Sequence, residues 1–592
     1  MDDNPKLSLL LSIFLISISL IKAENWKFNA VSISKSEYGI GLKYNNEIIK
    51  MESTLFPLFT TTIQSGNSNT YNYVLLDNLG NVVKEENFTR TYTPKTASIN
   101  EVYDRENKEV EIPSLPQVFE TNYIKDSKKY KPYDDTQIYT IYVNCDDEQY
   151  SNLKYQPFIV EYTQKNQNYA NCTLNFITKT EAIQRTGILS ITGFNSRKYK
   201  KLSWKFKLDD KIFGRKTIKL RANANDATLM RDKINTELYE ALGVPSYSSA
   251  YARLNINDDI YGLYSIVDSI GGNWISSAIH GDDKASTGYN YKTYAGADLK
   301  YYGDSNESYA NKLYVVDEVA KEDKEAKGND WYRLIKFIRL FSEWNDKYTN
   351  EENKDALESL EEFFNVEVLL RQMVIESLTF SFDNFWANSG NYALYHNPEE
   401  DKYQIIPYDF DGTFYGSNDS PRFNENYLTE PQDCINWALK SRNNEDYYFI
   451  EALFKHDNIK KRYNVIMKET LDKVFNVETL SPVIDKISEL IEDEVEWNFG
   501  LIDELDVAIP GFINRYMLKH FIDNVNYEKV ISENKDDAPF GIKEWVDLRG
   551  GECRHYIQTV GDLSSGMPRI TLFKLFNLVF ISILVNIIYQ IF

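Results

Sequence analysis

Basic residues are in deficit. Lys and Arg number 66 against 88 Asp and Glu over 592 residues, a formal net charge of −22. Phosphate backbones are gripped by basic footprints, so this balance argues against a nucleic-acid binder. Cysteine and histidine are scarce, at four and five residues. No CxxC or Cys/His spacing suits zinc. There is no Gly-rich phosphate loop of the P-loop or ordinary kinase type. No internal repeat occurs at solenoid periods. Apolar material is not lacking: 42% of residues are hydrophobic and 14% aromatic, enough for packed cores. The length exceeds one ordinary domain.

The two ends point to export. Residues 7–21 are almost wholly apolar or Ser, ahead of Lys22-Ala23. This pattern predicts a signal peptide over 1–23, cut near Ala23. A signal anchor is the alternative, but the run is short for a span. At the other end, 575–592 is strongly apolar and follows a short spacer, 567–574, and the small triplet Ser564, Ser565 and Gly566. Triplet, spacer and apolar tail predict a GPI-attachment signal over 564–592. A C-terminal transmembrane anchor is the alternative, although no basic cluster flanks the tail. The expected location is the extracellular face of the plasma membrane or the cell wall. Sequons at Asn87, Asn171, Asn306 and Asn418 fit a secreted glycoprotein. An even number of cysteines suits disulfides in that compartment. Proximity in sequence favours Cys145 with Cys172 and Cys434 with Cys553.

Residues 24–135 alternate as β-strands do, as at Tyr71-Asn72-Tyr73-Val74. They predict a small β-sandwich of the Ig or carbohydrate-module kind, joined onward through 125–135. Residues 136–560 read as α+β. Strands are expected at 138–143, 186–192, 203–208 and 216–220, and a helix over 227–242. A hairpin pairs 250–255 with 261–267. The acidic stretch 317–330 reads as an exposed insertion. Helices follow from Trp331 to Phe341 and on to Phe380, with more between Tyr447 and Trp497.

The stretch 381–416 carries the chemistry. Asp383 and Asn384 open a loop that holds Asn388 and Asn391. The strand over 403–407 then delivers Asp409 and Asp411 to its end. Paired carboxylates and amide oxygens suit a hard cation such as Mg²⁺, which keeps positions for phosphate oxygens. Asp-x-Asp also caps ordinary turns, so these residues alone leave the question open.

Several blocks in order resemble the spore coat protein H (CotH) family of atypical kinases. They are Lys200-Lys201 through Trp204-Lys205, then Leu220-Arg221 through Asp226 to Lys233, Leu242-Gly243-Val244-Pro245, Tyr261-Gly262-Leu263-Tyr264, Asp383-Asn384, and 405–416. The resemblance implies a divergent protein-kinase-like domain using ATP with Mg²⁺ or Mn²⁺. It implies Asp383 as the catalytic Asp facing the acceptor hydroxyl, and Asp409 as principal metal ligand with Asp411 in support. Asn391 or Asn388 would complete the metal set. Lys205, with Lys207 in reserve, would bind phosphate. Arg231 would be either a phosphate contact or part of a helix-anchoring ion pair. Where the family has Glu after its hairpin strand this chain has Asp268, so Glu237 is a candidate partner for the lysine. Two functions follow from the resemblance: phosphorylation of Ser/Thr on surface or secreted proteins, or a surface adhesin or invasin that binds a host or cell-wall receptor. A third reading gives the N-terminal β unit a glycan partner.

Overall fold

The computed structural model describes residues 25–560 apart from 65–67, 94–97, 107, 122, 125–126, 311–312, 350–354, 416–432, 439–446, 532–533 and 535. The expected signal peptide, the Ser564, Ser565 and Gly566 attachment site with its tail, and the Asn418 sequon lie outside the described residues.

Alternating burial builds two facing sheets at the N-terminal end. One holds β1 (Asn25–Val31), β4 (Glu52–Leu55) and β5 (Leu58–Gln64). The other holds β2 (Gly39–Tyr44), β3 (Glu47–Lys50), β6 (Thr70–Leu76), β7 (Val82–Glu85) and β8 (Arg90–Thr91). Phe28, Tyr71, Tyr73 and Tyr92 fill the space between them. The chain then crosses the larger body without strands, and Val110, Val118 and Tyr130 are buried in that body's core.

A closed barrel follows. Its strands are β9 (Ile138–Cys145), β12 (Ala170–Ile177), β13 (Ala182–Ile191), β14 (Trp204–Ile212), β15 (Arg215–Arg221), β16 (Ser249–Ile256) and β17 (Asp259–Asp268). Their order is β12-β13-β14-β15-β17-β16-β9, and only β16–β9 is parallel. A small hairpin, β10 (Phe158–Val160) with β11 (Gln164–Lys165), projects from it beyond helix α1 (Asp147–Tyr155). Side chains on a strand alternate between faces. On β14, Trp204, Phe206 and Leu208 therefore point into the barrel and Lys205 and Lys207 point out.

Helix α2 (Arg231–Ala241) packs on the barrel, with α3 (Gly272–Ala278) near it. The second body combines a sheet of order β19-β18-β20-β21 with helices. The strands are β18 (Asn290–Thr293), β19 (Tyr314–Glu318), β20 (Tyr392–Asn397) and β21 (Lys402–Pro407). The helices are α4 (Tyr332–Lys347), α5 (Asp355–Glu361), α6 (Val366–Thr379), α7 (Phe385–Asn388), α8 (Asp433–Asn436), α9 (Tyr448–Phe454), α10 (Asp457–Lys473), α11 (Val477–Gly500), α12 (Leu518–Val525) and α13 (Ile542–Thr559). The architecture is mixed α+β.

Two expectations need correction. The helix expected over 227–242 begins only at Arg231. The Asp226 carboxylate accepts from the N–H groups of Thr228, Met230 and Arg231, and Leu229 is left-handed at φ 57°, so the approach is a side-chain-stabilised turn. The 317–330 stretch is not wholly an exposed insertion. It starts within β19, Ala326 is buried, and Asp323 pairs with Arg333 at 2.6 Å.

Two disulfides are formed. Cys145 and Cys172 face each other across β9 and β12, and Cys434 on α8 joins Cys553 on α13. Asn87 and Asn171 are exposed. Asn306 is half-buried, and its side-chain oxygen accepts from Asn329 at 3.1 Å.

Candidate active site

Two loops meet at the seam between barrel and helical body. The first leaves α6 at Phe380, which is left-handed and ends the helix. It carries Asp383, whose carboxylate accepts from Asn388 Nδ2 at 2.7 Å and from Asn391 Nδ2 at 3.0 Å. Both candidate asparagines thus gather on the same Asp. The second loop leaves β21 and carries Asp409 and Asp411. Asn384 is fully buried and sews the loops together, donating to the carbonyls of Tyr408 at 3.0 Å and Asp409 at 3.3 Å.

Phe410 holds the acidic pair in place. Its ring is buried 4.6 Å from that of Tyr239 and 5.0 Å from that of Tyr247. Its N–H donates to Asp232 at 3.2 Å, and Tyr247 Oη donates to the same oxygen at 2.5 Å. Its neighbours Asp409 and Asp411 are partly exposed and both lie beside Arg221. Asp409 adopts φ 70°, a left-handed conformation uncommon for a residue with a Cβ.

Beneath the first loop, Glu376 on α6 is fully buried. It accepts from Trp386 N–H at 2.7 Å and Gln372 Nε2 at 2.8 Å. Burial raises its pKa to about 7, against the lowering effect of those donors.

The acidic pair does not stand free. Arg221, at the end of β15, donates to Asp409 and lies 3.2 Å from Asp411 and 3.8 Å from Asp232. Burial opposes ionisation of Asp409, but the guanidinium holds its pKa below the usual range. Burial and the Asp409 charge push Asp411 up. One wall carries cations. Lys219 of β15 sits opposite Lys205 of β14 in register, on the same face as Arg221. Burial, then the Lys292 ammonium, lowers Lys219 to about 8. Partial burial and Lys292 also lower Lys205. Lys292 pairs with Asp317 at 2.5 Å. Lys207 shares the face of Lys205 but lies opposite Thr217, further from Arg221.

Arg231, Glu237 and Asp268 have their partners away from the acidic pair. Arg231 is fully buried, bonded to Asp226 and, at 2.6 Å, to Asn524 of α12. These contacts are those of the helix-anchoring ion pair, one of its two alternatives. Glu237 pairs with Lys233 at 2.6 Å, one helical turn away, and not with Lys205. Asp268 faces away and binds Arg215 at 2.5 Å. The residues missed were Lys219, Arg221 and Asp232. The alternation of Lys219 and Arg221 along a strand was a usable signal, but only the β14–β15 register sets them beside Lys205.

Among the described residues no three His, Cys, Asp or Glu converge as a metal cage. The donor set of Asp409, Asp411 and the loop amides is nevertheless hard and oxygen-rich, which fits Mg²⁺. Arg221 now supplies the positive charge there.

Among the described residues no helix is long and apolar enough to cross a membrane. The family model described as CotH kinase protein matches residues 189–552. That span contains both loops, Arg221 and the lysine wall. The chain is similar to Invasin CotH3 of Rhizopus delemar, 24% identical over 91% of this chain and 86% of that protein. It is also similar to Invasin CotH2 of the same organism, 24% identical over 84% and 78%. Inner spore coat protein H of Bacillus subtilis is 22% identical over 51% and 76%. The site therefore lies inside a match that covers more than half of the sequence, and the chain belongs to the CotH kinase family.

Proposed function

We propose that this chain is an atypical protein kinase that transfers phosphate from ATP, with Mg²⁺ or Mn²⁺, to Ser or Thr of surface or secreted proteins. The observation that carries the reading is the joining of the Asp383 loop to the Asp409–Asp411 loop through Asn384, opposite Lys205 and Lys219. In this reading the barrel and the helical body are the two lobes of a kinase-like fold. The metal, once bound, neutralises charge on the phosphates. Asp409 and Asp411 would hold it, aided by Asn391 or Asn388, and Arg221, now beside both carboxylates, would be a cation available to the phosphates. Lys219 and Lys205 face the nucleotide, with Lys207 in reserve. Asp383, oriented by its two asparagines, receives the acceptor's proton.

The test compares Asp383→Asn with Asp409→Asn in calorimetric ATP binding and in phosphate transfer. Asp409→Asn should weaken metal-dependent ATP binding along with turnover. Asp383→Asn should lower turnover roughly 10²–10⁴-fold while ATP binding stays near normal. Normal transfer by both variants would remove the kinase reading.

A second reading is favoured by the relatives named invasins. In it the chain is a GPI-anchored extracellular binding protein, with a receptor, or a glycan at the β-sandwich, as partner. A chain that adheres equally well with both Asp residues changed would support it.

A further inference from the structure

A buried arginine holds the β10–β11 hairpin in place. Arg197 is only 5% exposed and aims its donors at backbone carbonyls: Gly193 at 2.8 Å, Ile191 at 2.7 Å, Pro157 at 2.9 Å and Asn166 at 2.7 Å. Pro157 immediately precedes β10 and Asn166 immediately follows β11. One guanidinium therefore ties both ends of the hairpin to the end of β13. Lys165, the last residue of β11, is half-buried, and its ammonium lies over the Tyr294 ring at 5.7 Å. Among the described residues no carboxylate pairs with Lys165 or with Arg197. Burial and then the Arg197 charge lower the Lys165 pKa. A half-buried cation beside a second cation is stabilised by an anion.

Both sides of the Lys165–Tyr294 contact belong to the candidate active site. On the barrel side, Ser190 of β13 stands opposite Lys205 of β14, and Lys205 stands opposite Lys219 of β15. Adjacent strands are about 4.8 Å apart, so this row is roughly 10 Å long. Arg197 joins Asn166, the neighbour of Lys165, to Ile191 at the β13 end of the row. On the other side, Tyr294 follows β18, and the residues after it are laid on the Asp383 loop. The N–H groups of Gly296 and Ala297 donate to the carbonyls of Asn388 at 3.0 Å and Ser389 at 3.1 Å. A Cβ on Gly390 would meet Ala295 N at 2.9 Å, so only glycine allows this approach. Thr293, just before Tyr294, accepts from Tyr408 Oη at 3.4 Å, next to Asp409. Lys165 thus reaches from the barrel onto the segment that packs against the catalytic loop. It also lies ahead of 189–552, the span that the family model matches.

We propose that Lys165 is a further nucleotide-binding residue, whose ammonium contacts the terminal phosphate of ATP beside the Asp383 loop; this rests on the kinase reading above. The transferred phosphate has to meet the acceptor hydroxyl at Asp383. The cation held over Tyr294 is placed for that phosphate, and Lys205 and Lys219 continue the row along the rest of the chain of phosphates. The sequence has no Gly-rich loop to cover phosphates with backbone N–H groups, and a hairpin fixed by Arg197 supplies a charged side chain instead.

The experiment measures calorimetric binding of ADP and of the β,γ-imido analogue of ATP to the full chain with Mg²⁺. Lys165→Met and Lys165→Gln should each weaken the analogue about tenfold and ADP by less than about twofold, with the melting temperature nearly unchanged. Lys165→Arg, which keeps the charge, should hold the analogue within about threefold of the parent. A merely structural role for Lys165 would move both nucleotides together, so equal losses would overturn the inference. So would an unchanged affinity for the analogue in Lys165→Met when the parent binds both nucleotides. A parent that binds neither nucleotide would remove the kinase reading itself, and this inference with it.

Discussion

Lys219 shares its surroundings with Lys205, Arg221 and Lys292, and burial lowers its pKa to about 8. An unfolded lysine titrates near about 10.4. The folded protein therefore holds this proton less tightly than the unfolded chain does. Its ammonium opposes folding fully below pH 8, and the cost fades as pH rises from about 8 toward 10.4. Lys219→Met should stabilise the protein at pH 7 by on the order of 1 kcal/mol, and by much less at pH 10. On the proposed kinase reading, the same change should weaken ATP binding about tenfold or more, because a partly dehydrated cation beside phosphates is worth more than an exposed one. Urea unfolding at the two pH values, with calorimetry, separates the effects. Loss of stability at pH 7 would show that the ammonium is well solvated. Lys205, on an exposed strand face, should give a smaller stability change.

The loop after α6 depends on a carboxylate that is easier to keep neutral than charged. Glu376 has its pKa raised to about 7, above an unfolded value of about 4.3. Its stabilising contribution is complete below the unfolded pKa and is lost as pH rises to about 7. Glu376→Gln should remove that slope and raise stability at pH 8 by on the order of 1 kcal/mol. The replacement has a ready partner: Gln372 Oε1 is buried and has no hydrogen-bond partner, so an amide flip lets it accept from the new side chain. Melting temperature against pH for both proteins checks this; parallel curves would count against a raised pKa at Glu376. At this scale the sequence was readable wherever alternation or a helical stripe ran unbroken. Trp204-Lys205-Phe206-Lys207 is a strand on sight. The start of α2 was not readable, because Asp226 captures three N–H groups and outcompetes good helix formers. The two Asp-bearing loops were legible through family resemblance, whereas Arg221 was not, since its role comes from cross-strand register.

One carboxylate ties the whole molecule together. Glu494 on α11 meets Arg253 of the barrel at 2.6 Å and Arg105, from the segment after the β-sandwich, at 3.3 Å. Glu494 and Arg253 are both buried. Removing one partner strands buried charge, so Glu494→Gln should cost about 3–5 kcal/mol. The paired change Glu494→Leu with Arg253→Met should cost less than Glu494→Gln alone. Equilibrium unfolding in urea measures both; a single variant within 1 kcal/mol of the parent, as at a surface pair, would refute the buried-hub picture. Sequence could suggest a β-rich unit ahead of an α+β one, but not this three-way junction, whose members are hundreds of positions apart. The barrel adds a consequence in time. Its only parallel seam joins β9 to β16, and Ile138 is paired with Tyr251. During synthesis at about 5–20 residues per second, the closing strand follows the first by roughly 110 residues, or about 5–20 seconds. β12 arrives early and covers one edge of β9, bringing Cys172 opposite Cys145. The other edge stays open until β16 appears. In a nascent chain, that bare edge is a window in which a neighbouring strand could pair wrongly. The early cystine holds one side of the sheet in register while the other waits.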